Sequence, residues 1–83
     1  MGLEIVDKYG VFVIKGNLDG QNSKPFKIYF EYLLDFLDSI SINLERVDSM
    51  DISGVYALES ISRTALMRGK KIILKGINLK QRS

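Results

Sequence analysis

The sequence predicts an α/β fold: one small mixed β-sheet in the order β-β-α-β-α-β, with the helices mainly on one face. Three observations carry this expectation. Ile40, Ile42 and Leu44 alternate with Ser41, Asn43 and Glu45, a period of two that marks a strand with one buried and one wet face. Two other segments repeat apolar residues every three or four positions, the spacing of an amphipathic helix. Each helical segment stands between two strand patterns, so the chain contains two β-α-β crossovers, which are right-handed; where the strands step one way across the sheet, both helices fall on the same face.

The elements follow in order. Leu3 and Ile5 alternate with Glu4, and Val11-Phe12-Val13-Ile14-Lys15 follows the Lys8-Tyr9-Gly10 turn, so the chain opens as a β-hairpin. In this reading Leu3, Ile5, Val11 and Val13 face the core with Ile42, Leu44, Ile72 and Leu74. The stretch from Gly16 to Ser23 has loop composition, and Ser23 followed by Pro25 marks a helix start, because the first helical turn does not need proline's missing donor. Phe26, Tyr29, Phe30, Leu33, Leu34 and Leu37 form the first apolar stripe, opposite Lys27, Glu31, Asp35 and Asp38. After the strand at Ile40–Leu44, Arg46 to Ile52 reads as a connecting loop, and Ser53 stands where an N-cap belongs. Ala57, Leu58, Ile61, Ala65 and Leu66 give the second stripe, Gly69 suits the position just past a helix end, and Lys70 to Lys75 form the last strand. Residues 1–78 make a single domain and 79–83 a loose basic tail.

Composition removes most small-enzyme chemistry. The 83 residues are 46% hydrophobic and 27% charged, which suits one core and leaves no room for two. There is no cysteine and no histidine, so a thiolate metal site, a cysteine nucleophile and an imidazole base are all excluded. The longest apolar runs, such as Val11 to Ile14, fall far short of the roughly 20 residues of a membrane helix. The expectation is a cytoplasmic protein without membrane insertion. Arg63, Arg68, Lys70, Lys71, Lys75, Lys80 and Arg82 follow the last acid, Glu59, and make the C-terminal third basic. No aromatic residue is interleaved as a stacking platform, so this is read as a solvated edge and no nucleic-acid partner is expected.

Two groups of residues have chemical potential. Ser53 in Asp51-Ile52-Ser53-Gly54 opens an amphipathic helix, where free backbone donors and the helix dipole favour an attached phosphate; the alternative is that Ser53 only caps the helix. Asp19, Asp48 and Asp51 fall in loops expected at the carboxyl ends of strands, where ligands gather in open α/β sheets, and three carboxylates suit Mg²⁺. No Gly-x-x-x-x-Gly-Lys segment accompanies them, and loop aspartates serve commonly as turn and cap residues, so no metal or cofactor is expected.

Gly16-Asn17-Leu18-Asp19 followed by Ser23 resembles the Gly-x-Leu-Asp…Ser/Thr segment of STAS domains, the family of bacterial anti-sigma-factor antagonists. Met50-Asp51-Ile52-Ser53-Gly54 is similar to that family's Asp-Ser-Ser/Thr-Gly phosphorylation motif, and Ala65 through Gly69 to Leu74 resembles its helix-to-strand passage. The three matches occur in order and span nearly the whole chain. The resemblance implies a STAS-like, non-enzymatic signalling module that binds a protein partner, an anti-sigma factor or serine kinase. It implies phosphorylation at Ser53, with Asp19, Asp51, Gly54 and Tyr56 on the partner surface. Ile52 stands in place of the usual hydroxyl residue and Val55-Tyr56 in place of a small Leu-Gly pair. Family members usually continue into another helix, so some apolar surface is expected to lack that cover.

Alternatives stay open: a constitutive structural STAS subunit of a transporter or stress-signalling assembly without phosphorylation, or a Mg-dependent enzyme using Asp19, Asp48 and Asp51. Val6, Phe12, Ile14 and Ile73 are expected on the sheet face away from the helices, an apolar patch that a homodimer would cover.

Overall fold

The computed structural model describes residues 2–76. Six elements follow one another: β1 (Leu3–Lys8), β2 (Val11–Leu18), α1 (Ser23–Leu33), β3 (Ser39–Met50), α2 (Ile52–Met67) and β4 (Lys71–Lys75). The strands form one four-stranded sheet in the order β1-β2-β3-β4. β1 is antiparallel to β2, whereas β2–β3 and β3–β4 are parallel, so the sheet is mixed as expected. The residues 77–83, which include the end of the expected domain and its basic tail, lie outside the described residues.

The hairpin turn is Tyr9-Gly10, with φ of 55° and 83°. Two positive φ values in a two-residue loop match the right-handed twist of the flanking strands, and Gly10 takes its value without steric cost. The Gly10 N–H donates to Asp7 Oδ1 at 3.2 Å and closes the turn.

The hairpin's facing corrects one expectation. Phe12 and Ile14 are buried in the core at 5% and 0% exposure, while Val11 and Val13 lie on the open side. The register explains this: Ile5 pairs with Ile14, and Phe12 with Ile42, whose neighbour on β4 is Leu74. In the run Val11–Ile14 every residue is apolar, so hydrophobicity alone does not fix the parity, and the two larger residues fill the space beneath α1. Phe12 packs edge-to-face on Phe30 with ring centroids 5.5 Å apart, and Phe26 on Phe30 at 4.9 Å. The expected open-face patch is thereby corrected to Val6, Val11, Val13 and Ile73.

β3 is longer than the alternation suggests, because the segment read as a loop continues the strand to Met50. Register shifts opposite Val13–Lys15 and opposite Gly16–Asn17 each insert one extra β3 residue. Each bulge changes the phase of the strand, so the buried series Ile40, Ile42, Leu44 continues as Val47 and Met50. Gly16 to Leu18, also read as loop, is the end of β2 that pairs with this bulged segment.

Pro25 is the third residue of α1, still within the turn whose N–H groups need no intrahelical partner. Helix α1 ends at Leu33, before Leu37, which is exposed. On α2 the core stripe is Gly54, Ala57, Leu58, Ile61 and Ala65; Leu66, one residue round the helix, is 78% exposed and not a core residue. Gly69 follows the C-cap Arg68 with φ 70°, as its place in the sequence suggests.

The basic C-terminal third is opposed in space by acids from α1's end. Arg68 pairs with Asp35 at 2.8 Å and Lys70 with Asp38 at 3.1 Å, while Thr64 Oγ1 donates to Glu31 Oε2 at 3.0 Å. These contacts join the carboxyl ends of the two helices.

Candidate functional site

The carboxyl ends of β2 and β3 meet at the amino ends of α1 and α2. Asp51, the N-cap of α2, has extended backbone and accepts the Gly54 N–H on Oδ1 at 3.2 Å. Its other oxygen, Oδ2, accepts the Gly20 N–H at 3.3 Å, and its own N–H donates to the Leu18 carbonyl at 3.2 Å. Asp51, not Ser53, is therefore the cap. An aspartate at this position offers two acceptors to two orphan donors, where a serine offers a single oxygen.

Asp19 organises the other loop. Its Oδ1 accepts the Gln21 N–H at 3.0 Å, and its carbonyl accepts the N–H groups of Asn22 and Ser23 at 3.2 and 2.8 Å. Asn22, the N-cap of α1, accepts the Asp19 N–H on Oδ1 at 2.9 Å and donates from Nδ2 to the Asn17 carbonyl at 2.8 Å. Both loops are thus held by side-chain to backbone bonds, and Asp19 and Asp51 act as structural acceptors within them. Asp48 is exposed on β3, and among the described residues no group of three or more acidic side chains lies together as a metal site.

Ser53 is the second residue of α2 and half-buried. Its hydroxyl makes no hydrogen bond among the described residues, and a Cβ built on Gly20 would sit 3.6 Å from its Oγ, an ordinary contact. Gly54 is buried for a different reason: a Cβ there would come within 2.9 Å of the Leu18 carbonyl oxygen and 2.6 Å of Met50 Cγ. Glycine lets the first turn of α2 settle onto the strand ends, which puts Ser53 level with the Gly20 loop.

From Ser53 a groove of about 630 Å³ runs between α1 and α2, with Lys24, Lys27, Tyr56, Ser60 and Arg63 on its walls. Lys27 is paired with Glu31 at 3.2 Å, Glu59 is the groove's acid, and Tyr56 is 62% exposed at its mouth. Ser53, Tyr56, Ser60 and Arg63 are spaced by three, four and three residues along α2. That spacing puts them on one helix face and is the signal by which the groove could have been found in the sequence. A second crevice of about 600 Å³ between β1 and α1 is lined by Leu3, Ile5, Pro25 and Phe26 and carries no carboxylate, lysine or arginine. It has none of the groups that the Ser53 groove brings together.

The site is thus a mixed four-stranded sheet under two helices, with a free serine hydroxyl in the first turn of the second helix. The sequence profile of the STAS domain family matches residues 2–80, and the chain belongs to that family. Among solved structures, the chain is similar to the anti-sigma factor antagonist SpoIIAA in its unphosphorylated form, at 22% identity and TM-score 0.69, over 88% of this chain and 71% of that one. It is similar to the phosphorylated form of SpoIIAA, the Bacillus cell fate determinant, at 20% identity and TM-score 0.74, over 95% and 76%. It is also similar to an antisigma-factor antagonist STAS domain from Rhodobacter sphaeroides, at 20% identity and TM-score 0.67, over 99% and 90%. At these identities the likeness is one of fold. No curated protein sequence matches the chain at a comparable standard.

Proposed function

We propose that this STAS domain is a non-enzymatic signalling module that binds a protein partner through the surface around Ser53, with phosphorylation of Ser53 as its switch. The observation that carries this reading is the unengaged Ser53 hydroxyl, freed by Asp51 from capping duty and set at the end of a groove with lysine and arginine walls. An anti-sigma factor with serine-kinase activity is the proposed partner, in the cytoplasm, by analogy with the antagonists whose fold this chain shares.

Asp19 and Asp51 are held by backbone N–H groups, and the charged side chains lining the groove beyond Ser53 are Lys24, Lys27, Arg63 and Glu59. A phosphate on Ser53 brings about 1.5 to 2 negative charges to the helix N-terminus, where dipole and free N–H groups favour it. It also lowers the positive potential at the Ser53 end of the groove, and a partner that docks acidic side chains there loses attraction while the fold stays as it is.

The experiment compares binding of Ser53→Ala and Ser53→Asp to an anti-sigma factor with serine-kinase activity from the same host. Ser53→Ala should bind like wild type and Ser53→Asp at least about tenfold more weakly. Equal binding by the two variants removes the switch. Mass-spectrometric mapping of phosphate on protein purified from its own host tests the modification itself.

A further inference from the structure

The sheet face away from the helices carries a second groove, of about 430 Å³, which the Ser53 surface does not use. Its floor is mostly apolar: Val11 and Val13 on β2 and Ile73 on β4 flank Ser41 and Asn43 of β3. Lys8 and Lys75 lie at its borders, and Tyr9 rises at its rim from the hairpin turn.

Lysines outnumber acids on this face. The strand registers put Lys8, Lys15, Lys71 and Lys75 on the same side as Val11 and Ile73, and none of the four forms an ion pair among the described residues. Its acids are Glu4, which faces Lys15 across the hairpin, and Glu45, which lies beside Asn43. A two-fold pairing of this face with itself would bring lysines against lysines, which electrostatic complementarity disfavours. A concave floor also fits an inserted side chain better than a planar lipid surface. Tyr9 adds a third observation. It is fully exposed at φ 55°, a left-handed conformation in which asparagine or glycine is at ease and an aromatic residue is not. Stability gives no reason for a tyrosine there, whereas a contact surface does.

We infer that the open sheet face is a second docking surface, for an acidic amphipathic segment of a partner protein. An apolar side chain of that segment enters the Val11–Val13–Ile73 floor, and carboxylates on either side of it reach Lys8 and Lys75. The Ser53 groove opens between the helices on the opposite face of the sheet, so the two surfaces can be occupied together.

The test is a titration of the full chain, followed by amide NMR shifts, with a capped synthetic peptide alternating glutamate and leucine. A peptide alternating lysine and leucine and vesicles of phosphatidylglycerol are titrated in parallel. The acidic peptide should give saturable shifts centred on Val11, Val13, Ile73 and Lys75. Affinity should fall about tenfold in the double variant Lys8→Glu/Lys75→Glu, and as much in Ile73→Asp. Both variants change exposed positions, and each is first checked for an unchanged thermal midpoint. Ser53→Asp should leave the titration unaltered, which separates this surface from the Ser53 surface. Equal response to the basic peptide, shifts confined to the α1–α2 groove, vesicle binding without peptide binding, or self-association on sedimentation would each overturn the assignment.

Discussion

Asp51 and Gly20, far apart in the chain, are joined by a hydrogen bond from the Gly20 N–H to Asp51 Oδ2 at 3.3 Å, while Asp51 Oδ1 caps α2 through the Gly54 N–H at 3.2 Å. One carboxylate therefore fixes both loops of the Ser53 surface. Asp51→Ala removes both acceptors and should cost about 1 to 3 kcal/mol, measured by urea denaturation. Asp51→Asn keeps a single acceptor oxygen and should lose roughly half as much. A wild-type midpoint for Asp51→Ala would show that the two bonds are not held in solution.

Glycine at 54 and glycine at 20 answer to different constraints. Alanine favours helix over glycine by about 1 kcal/mol, yet Gly54→Ala should destabilise the domain, because its Cβ meets the backbone oxygen of Leu18 at 2.9 Å. A loss of about 1 to 3 kcal/mol is expected. Gly20→Ala brings its Cβ only to an ordinary contact with Ser53 Oγ at 3.6 Å and should stay within about 0.5 kcal/mol of wild type. The pair of denaturation midpoints checks both statements.

Ser53 is the position where the sequence reading and the geometry differ most usefully. Because Asp51 is the cap, Ser53→Ala should change stability by less than about 0.5 kcal/mol, where a true cap would cost about 1 kcal/mol. Ser53→Asp places a negative charge in the first turn of α2 and should raise stability by about 0.3 to 1 kcal/mol at low salt, with the gain shrinking as salt is added. A variant that becomes more stable while it binds its partner less well separates the electrostatic switch from unfolding.

Element order, both crossovers and the apolar stripes were legible because each rests on local periodicity: Ile40-Ile42-Leu44 for a strand, Phe26-Phe30 and Leu58-Ile61-Ala65 for helices. Two features were not local. The continuation of β3 to Met50 depends on bulges that exist only in pairing with β2, so Val47 and Met50 fell out of phase with the alternation before them. Asp51 caps α2 and also holds Gly20 across two loops, and a reading confined to Asp51-Ile52-Ser53 does not contain the second contact that favours the aspartate. The motif around Ser53 was visible, and the spacing of Tyr56, Ser60 and Arg63 marks one wall of the groove beyond it; the other wall, with Lys24 and Lys27, comes from α1 and is brought opposite only by packing.

The parity of β2 yields the last prediction. In Val11-Phe12-Val13-Ile14 every residue is apolar, and the opposite parity would put Val11 and Val13 inside with Phe12 and Ile14 outside. The structure puts Phe12 beneath α1, its ring 5.5 Å from Phe30 and 6.5 Å from Tyr29 in edge-to-face contacts, and leaves Val11 paired with Lys8 on the open face. Phe12→Ala should therefore cost about 3 to 5 kcal/mol, since the cavity it leaves is walled by α1 and the Ile42 strand and closes only in part. For a domain of this size that loss is comparable with the total stability, so the variant should melt near or below ambient temperature. Val11→Thr keeps the branched shape, places its hydroxyl toward solvent and should shift stability by less than about 0.5 kcal/mol. Thermal unfolding of the two variants side by side reads the parity directly: a mild Phe12→Ala with a severe Val11→Thr would mean that the strand is turned the other way.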